Sequence, residues 1–199
     1  MRSDVFKLTG EETQRVQIIS EVDRYSSFNG LERRDALRLR LLTEETLGMM
    51  PELLKFTEGS FWIENDGLSY ELHVTAKTKD SGFSTRERLL SVSSDGTNIA
   101  EKGFMGKLRS AIEMMLYPSE EDVIDTDFCG FGYDGTMSSP ETWSLQQYRE
   151  DLLTFGGDSV KARGWDELEK SIVASLADNV VVSIRGKQAE LIIRKTFRG

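Results

Sequence analysis

The sequence predicts an α/β (α+β) two-layer sandwich, with a mixed, largely antiparallel sheet of about five strands and helices on one face. Two observations predict these layers. The stretch between Asn29 and Phe56 has apolar residues at helical spacing. The ranges 61–77 and 180–197 each contain two strand-like stretches separated by a glycine-containing turn. Because 199 residues suffice for one sizeable core, we expect a single domain over residues 1–199, with 79–164 as an elaborated helical lid.

The N-terminal segment is predicted to contain a short strand at 5–8 and a first helix. Thr9 and Glu12 have the spacing of a capping box, which satisfies free N–H groups at a helix start. We expect this helix to end near Tyr25. Its apolar face is predicted to consist of Val16, Ile19 and Val22.

The second, longer helix is the centre of the prediction, and we expect it to begin at Gly30 with Asn29 as its cap. Pro51 should kink or end it, because proline lacks the N–H that a helix interior needs. Glu45 lies on the flank of the apolar stripe, where a carboxylate either faces a cavity or is solvated, whereas Glu44 should point toward water. The stripe comprises Leu39, Leu42, Met49, Met50 and Leu53.

The first hairpin is predicted from 61–64 and 68–77, because the Asp66-Gly67 pair between them favours a tight turn. Apolar and polar residues alternate along the second strand. Its apolar side comprises Leu68, Tyr70, Leu72, Val74 and Ala76. His73 lies on the polar side, and we interpret it as an exposed residue rather than a ligand, since no second histidine and no nearby cysteine accompanies it.

Residues 79–164 are irregular, with short helices predicted at 84–90, 107–117 and 144–155. Residues 119–127 are acidic and precede several glycines. Because the aspartates lack the spacing of a calcium loop, we expect a solvated acidic loop and no metal site. Gly103 and Gly106 precede the second of these helices, where free N–H groups can hold a phosphate.

The C-terminal part is predicted to be a helix followed by a second hairpin. The helix should begin at Trp165 and present Leu168, Ile172 and Leu176 to the core. The hairpin comprises 180–184 and 189–197, which are rich in β-branched residues.

Composition excludes several classes of function. Acidic residues exceed basic ones by 34 to 25, so we expect neither nucleic acid nor a membrane surface as the partner. We expect a cytoplasmic protein, since the N-terminal residues have no signal-like apolar run. Cys129 is the single cysteine and His73 the single histidine, which argues against disulfides, cysteine-built zinc sites and most histidine-dependent catalysis.

The order of elements, and residues 41–49 and 175–195 in particular, resembles the GHKL ATPase fold shared by histidine kinases, gyrase, the Hsp90 chaperone and the anti-sigma-factor serine kinases. The last group is closest in size. In that family a glutamate on the second helix precedes an asparagine by four residues. The resemblance implies that Glu45 is the general base, with Asp80 and Gly82 near the adenine and Gly103 and Gly106 near the phosphates.

This chain departs from the family at three places. Met49 stands where the family has its magnesium-binding asparagine, and a thioether is not a ligand for that ion. Ala76 stands where the family has its adenine-reading aspartate. Glu167 and Glu169 fall where phosphate-loop glycines are expected, and their carboxylates would repel a triphosphate.

These departures favour a signalling or regulatory protein in which the fold is a non-catalytic protein-binding module. The alternative is an ATP-binding serine kinase or ATPase that uses Glu45, with ATP and magnesium as cofactors. We expect a protein partner or self-association through the acidic loop. The aromatic residues near that loop are predicted either to be exposed contact residues or to pack locally; they are Phe128, Phe131, Tyr133 and Trp143.

Overall fold

The computed structural model describes residues 1–9, 12–53, 56–78, 103–116, 142–154, 164–166, 168–186 and 188–198. The strands are β1 (Phe6–Leu8), β2 (Phe56–Asp66), β3 (Ser69–Thr78), β4 (Thr142–Ser144), β5 (Asn179–Arg185) and β6 (Gln188–Thr196). The helices are α1 (Glu12–Phe28), α2 (Arg33–Leu53), α3 (Gly103–Leu116), α4 (Leu145–Thr154) and α5 (Ile172–Leu176). The predicted helix at 84–90 lies outside the described residues.

The six strands form one sheet in the order β1-β2-β3-β6-β5-β4, and every neighbouring pair is antiparallel. The predicted two-layer α+β architecture is therefore confirmed, with no parallel pair among the described strands. Both predicted hairpins belong to this sheet because β3 pairs with β6. Sequence patterns did not predict β4, which lies in the segment 79–164 that we expected to be irregular.

The sheet turns one side toward the helices, and inward residues of its four central strands share a core with them. On β3 the predicted inward residues Tyr70, Leu72, Val74 and Ala76 are all buried. Leu68 does not join them, because it lies in the turn before the strand and is exposed. The two hairpin turns contain Gly67 and Gly186 at positive φ (56° and 60°), which glycine adopts without steric cost.

The junction of α1 and α2 differs from its prediction. Asn29 does not cap α2, because its side-chain amide donates to the carbonyl of Tyr25 (2.8 Å) and so closes the end of α1. α2 begins at Arg33, where the Glu32 carbonyl accepts from the amides of Asp35 and Ala36. Pro51 lies inside the last turn of α2, which ends two residues later.

Two apolar residues predicted to face the core are exposed instead. Val16 lies on the outer side of α1, and Ile18, Ile19 and Val22 form its buried side. Ile172 is also exposed, since Ser171 starts a new helix by accepting from the amide of Ala174, which turns Val173 and Ala174 inward. One interrupted turn is enough to shift the phase of a helical pattern.

Candidate functional site

Glu45 lies on the flank of α2 that α1 leaves uncovered. On the α1 side, Arg40 bonds the carboxylate of Glu44 (3.0 Å), and the Arg15 guanidinium donates to the Glu44 carbonyl (3.0 Å). Glu44 is therefore held between the two helices rather than pointing freely to water as predicted. Glu45, about 100° further round the helix, is half-buried, and no described residue forms a hydrogen bond or ion pair with it.

Met49 and Ala76, two of the places where the sequence differs from the family that it resembles, are part of the core. Met49 is 6% exposed and Ala76 is 2% exposed, and both pack in the cluster between helices and sheet. Their surroundings are apolar. A magnesium ion, which keeps several waters in most protein sites, does not suit such an environment.

Gly103 and Gly106 lie in the first turn of α3, not in a turn before it. The helix begins at Gly103, four residues earlier than predicted, since Phe104 and Leu108 pack into the core and fix the first turn. Gly106 is buried. Asp80 and Gly82 lie outside the described residues, as does Glu167, while Glu169 is exposed.

Trp143 is buried, which corrects the expectation that it is an exposed contact residue. It is 3% exposed, and its ring lies 6.3 Å from the rings of both Phe104 and Tyr148. The alternative reading, local packing, holds for this residue. Phe128, Phe131 and Tyr133 lie outside the described residues.

The prediction that His73 is exposed is wrong. Its ring stacks flat on Trp62, with centroids 4.8 Å apart and planes 5° apart, and the residue is 8% exposed. The hairpin register causes this contact, since Trp62 and His73 are direct cross-strand partners. The register follows from the Asp66-Gly67 turn, so counting back from that turn would have paired the two rings in advance.

A network of charged and aromatic side chains surrounds His73 on the outward side of the sheet. Glu71 lies between Arg194 (2.8 Å) and the Nε2 atom of His73 (3.2 Å). On β2 the Trp62 indole donates to Glu64 (2.9 Å), and the Arg2 guanidinium lies 4.8 Å from the Trp62 ring centroid. Neither ring nitrogen of His73 has a hydrogen-bond partner, because the approach of Glu71 is close but poorly directed.

A cleft of about 500 Å³ opens beside this network, at the end of the sheet near the N-terminus. The hydroxyl of Tyr25 lies near this end, 2.6 Å from Oδ1 of Asn65 and 2.9 Å from the carbonyl of Met1. Burial, and then electrostatic interaction with Tyr70 and with the carboxylate of Glu64, raises the pKa of Tyr25 to about 12. The cleft is lined by Met1, Arg2, Glu64, Asn65, Asp66, Ser69 and Glu71.

The described residues contain no group of three or more histidine, cysteine, aspartate or glutamate side chains placed to hold a metal ion. The aspartates of the acidic segment 119–127 lie outside that part of the chain. Among the helices described, none is long and apolar enough to cross a membrane.

No protein-family model matches the chain, and no curated protein matches its sequence.

Proposed function

We propose that this chain is a signalling or regulatory protein whose degenerate ATPase-like fold is a non-catalytic protein-binding module. The observation that carries the non-catalytic part is the burial of Met49. In the family that the sequence resembles, this position supplies an oxygen to magnesium. Here it supplies a thioether to an apolar core, and a helix position cannot serve both purposes.

Ala76 supports the same proposal. It is a buried methyl group in β3, directly opposite Gly59 on one side and Ala189 on the other. Ala76 therefore supplies no carboxylate that could bind adenine at this position. The ligand-binding residues of the family are thus replaced by residues that stabilise the fold, as expected where the fold is retained for contacts with another protein.

Calorimetry with ATP and magnesium tests this proposal. We expect no heat of binding at millimolar ATP, because neither a magnesium ligand nor an adenine ligand is present at the family positions. Heat that disappears when magnesium is omitted would contradict the proposal. Injection of magnesium alone is the matched control, since the acidic chain can bind divalent ions weakly.

A second function is an ATP-dependent serine kinase or ATPase, and one observation favours it. Glu45 is a half-buried carboxylate without a described partner, which is the state that a general base needs in order to orient a water or hydroxyl group. In this alternative Asp80 and Gly82 lie near the adenine, and Gly103 and Gly106 near the phosphates.

The Glu45→Gln variant tests this second function. If Glu45 is the base, phosphate release from ATP falls by about 100-fold or more, with ATP binding retained. Glu44→Gln is the matched control, because it removes the neighbouring carboxylate and only an ion pair with Arg40. Equal loss in both variants would contradict a specific role for Glu45.

A further inference from the structure

The outward side of the sheet, which faces away from the helices, has a layout that the strand register determines. Successive side chains of a strand point to opposite sides, so residues paired across neighbouring strands form rows on one side. We call this surface the outer sheet face. Its central row consists of residues paired in turn across β2, β3, β6 and β5, namely Trp62, His73, Ile192 and Val181. The three apolar residues of this row are half-buried and do not belong to the core that the helices share with the sheet.

Rows that contain charged residues lie on either side of the central row. The row toward the Gly67 turn comprises Glu64, Glu71, Arg194 and Asn179. Toward the Gly186 turn, the next row comprises Ser60, Thr75, Glu190 and Ser183, and the last comprises Glu58, Lys77, Gln188 and Arg185. Both ends of the face are accessible from solvent, since the cleft of about 500 Å³ borders the first of these rows and a second cleft of about 470 Å³ lies along the last.

The outer sheet face is electrically balanced, although the whole chain has a net charge of -9. Its strands, together with the Arg2 side chain over the Trp62 ring, carry equal numbers of acidic and basic residues. The acidic residues are Glu58, Glu64, Asp66, Glu71 and Glu190, and the basic ones are Arg2, Lys7, Lys77, Arg185 and Arg194. A face of mixed charge suits a partner of equally mixed charge, and a second copy of the same face is such a partner.

Two opposite charges of this face have no partner within the described part of the chain. Glu58 on β2 and Arg185 on β5 are exposed, and neither forms an ion pair or a hydrogen bond with a described residue. They belong to the same row, but β3 and β6 separate them. Both charged groups are therefore free to pair with groups of another molecule.

We propose that the outer sheet face binds the same face of a second copy, about a two-fold axis that runs along the strands between β3 and β6. This axis places β2 of one copy over β5 of the other and β3 over β6, so each row meets itself in reversed strand order. Glu58 then lies opposite the second copy's Arg185, and the reciprocal contact forms on the other side of the axis. The inference rests on the proposed function, because it identifies the partner of the binding module.

The reversed order makes the two faces complementary. In the centre, the large Trp62 lies opposite the small Val181, and His73 lies opposite Ile192. No like charges are opposed at the paired positions of the four strands. A two-fold axis along the central row would instead bring Asp66 opposite Glu58, and for this reason we place the axis along the strands. Packed sheets cross at about 30°, an offset that glutamate and arginine side chains are long enough to span.

The size of the face indicates a dimer that dissociates on dilution. β3 and β6 are paired over nine residues. At ordinary strand spacing the four strands therefore cover about 30 Å by 19 Å, a flat area on the order of 550 Å². Stable interfaces bury about 800 Å² on each partner. Because charged residues border the apolar row, the association should also weaken as salt is raised.

Sedimentation of the purified full chain over a range of concentrations, at low and high salt, tests the proposal. We expect the average mass to rise with concentration toward that of a dimer. In Arg185→Glu the dissociation constant should rise by at least about tenfold, because two attractive contacts per dimer become repulsive. The fold should be retained, since the Arg185 side chain is exposed and without a described partner. The matched control is Arg33→Glu, the same charge change at an exposed position of α2, which should leave the dissociation constant unchanged.

Charge exchange gives the sharper test. Glu58→Arg alone should weaken the association as Arg185→Glu does. An equimolar mixture of these two variants should recover it, because each new charge then meets an opposite one on the other chain. The variant Glu58→Arg/Arg185→Glu should likewise recover the dimer on its own, with the net charge of the wild type.

Three results would overturn the inference: a monomer at all concentrations, a dimer that Arg185→Glu weakens no more than Arg33→Glu does, or charge exchange that restores nothing. The proposed function fails by a different result. Heat of ATP binding from an intact dimer would overturn the non-catalytic function alone. A monomer that shows no ATP heat and binds another protein would overturn this inference while leaving the proposed function intact.

Discussion

The two sides of strand β3 are stabilised by different kinds of contact. Toward the helices, Leu72 and Val74 are at most 1% exposed and lie among apolar neighbours. On the other side, Glu71 and His73 are held by an ion pair and by ring stacking. The side of β3 that faces the helices is stabilised by removing apolar surface from water. The opposite side depends on individual ion pairs and ring contacts, each of which contributes a smaller free energy.

The largest expected effect comes from a substitution on the side of β3 that faces the helices. Leu72→Ala should lower the free energy of unfolding by about 3 kcal/mol, because it leaves a cavity in a fully buried cluster. The adjacent Glu71→Ala, on the other side of the same strand, should cost less than about 1 kcal/mol, since its ion pair with Arg194 is partly exposed. Chemical denaturation of both variants measures the contrast, which equal losses would refute.

A smaller effect is expected at Tyr25, where the N-terminal segment meets the sheet. Tyr25→Phe removes the hydroxyl that lies between Asn65 and the Met1 carbonyl, at a cost of about 1 kcal/mol at neutral pH. Because folding raises the pKa of Tyr25 from 10.0 to about 12, the stability it contributes is complete below pH 10 and is lost between pH 10 and 12.

Denaturation of the wild type and of Tyr25→Phe across pH 9 to 12 tests whether this stability is lost as the pH rises. The wild type should lose more stability over this range than the variant. Burial raises the pKa of Tyr70 as well, so a residual loss in Tyr25→Phe is expected. Identical pH profiles would contradict the assignment to Tyr25.

The smallest effect, and the one of opposite sign, is expected at His73. His73→Phe replaces a ring whose two buried nitrogens lack hydrogen bonds by an apolar ring that can stack on Trp62 in the same way. Stability should stay equal or rise by up to about 1 kcal/mol, since unsatisfied polar atoms are removed. A loss greater than about 1 kcal/mol in denaturation would show that a ring nitrogen has a stabilising partner.

Much of the fold could be predicted from the sequence, because its signals are local. The alternation along β3 and the glycines of the two turns determine strands and hairpins within about ten residues. The stripe from Leu39 to Leu53 likewise determines the buried side of α2, and all five predicted residues are buried. Element ends were less predictable, as Asn29 shows, since the same side chain can close one helix or open the next.

The sequence by itself thus determined which sides of the strands and of α2 are apolar and which residues form the turns. Only the tertiary structure decided that Trp143 packs on Phe104 and that Val16 and Ile172 are exposed. The physical reason is the distance along the sequence over which each effect acts. Periodicity and turn chemistry act between residues near in sequence, whereas burial depends on neighbours brought together from distant segments by strand pairing and helix packing.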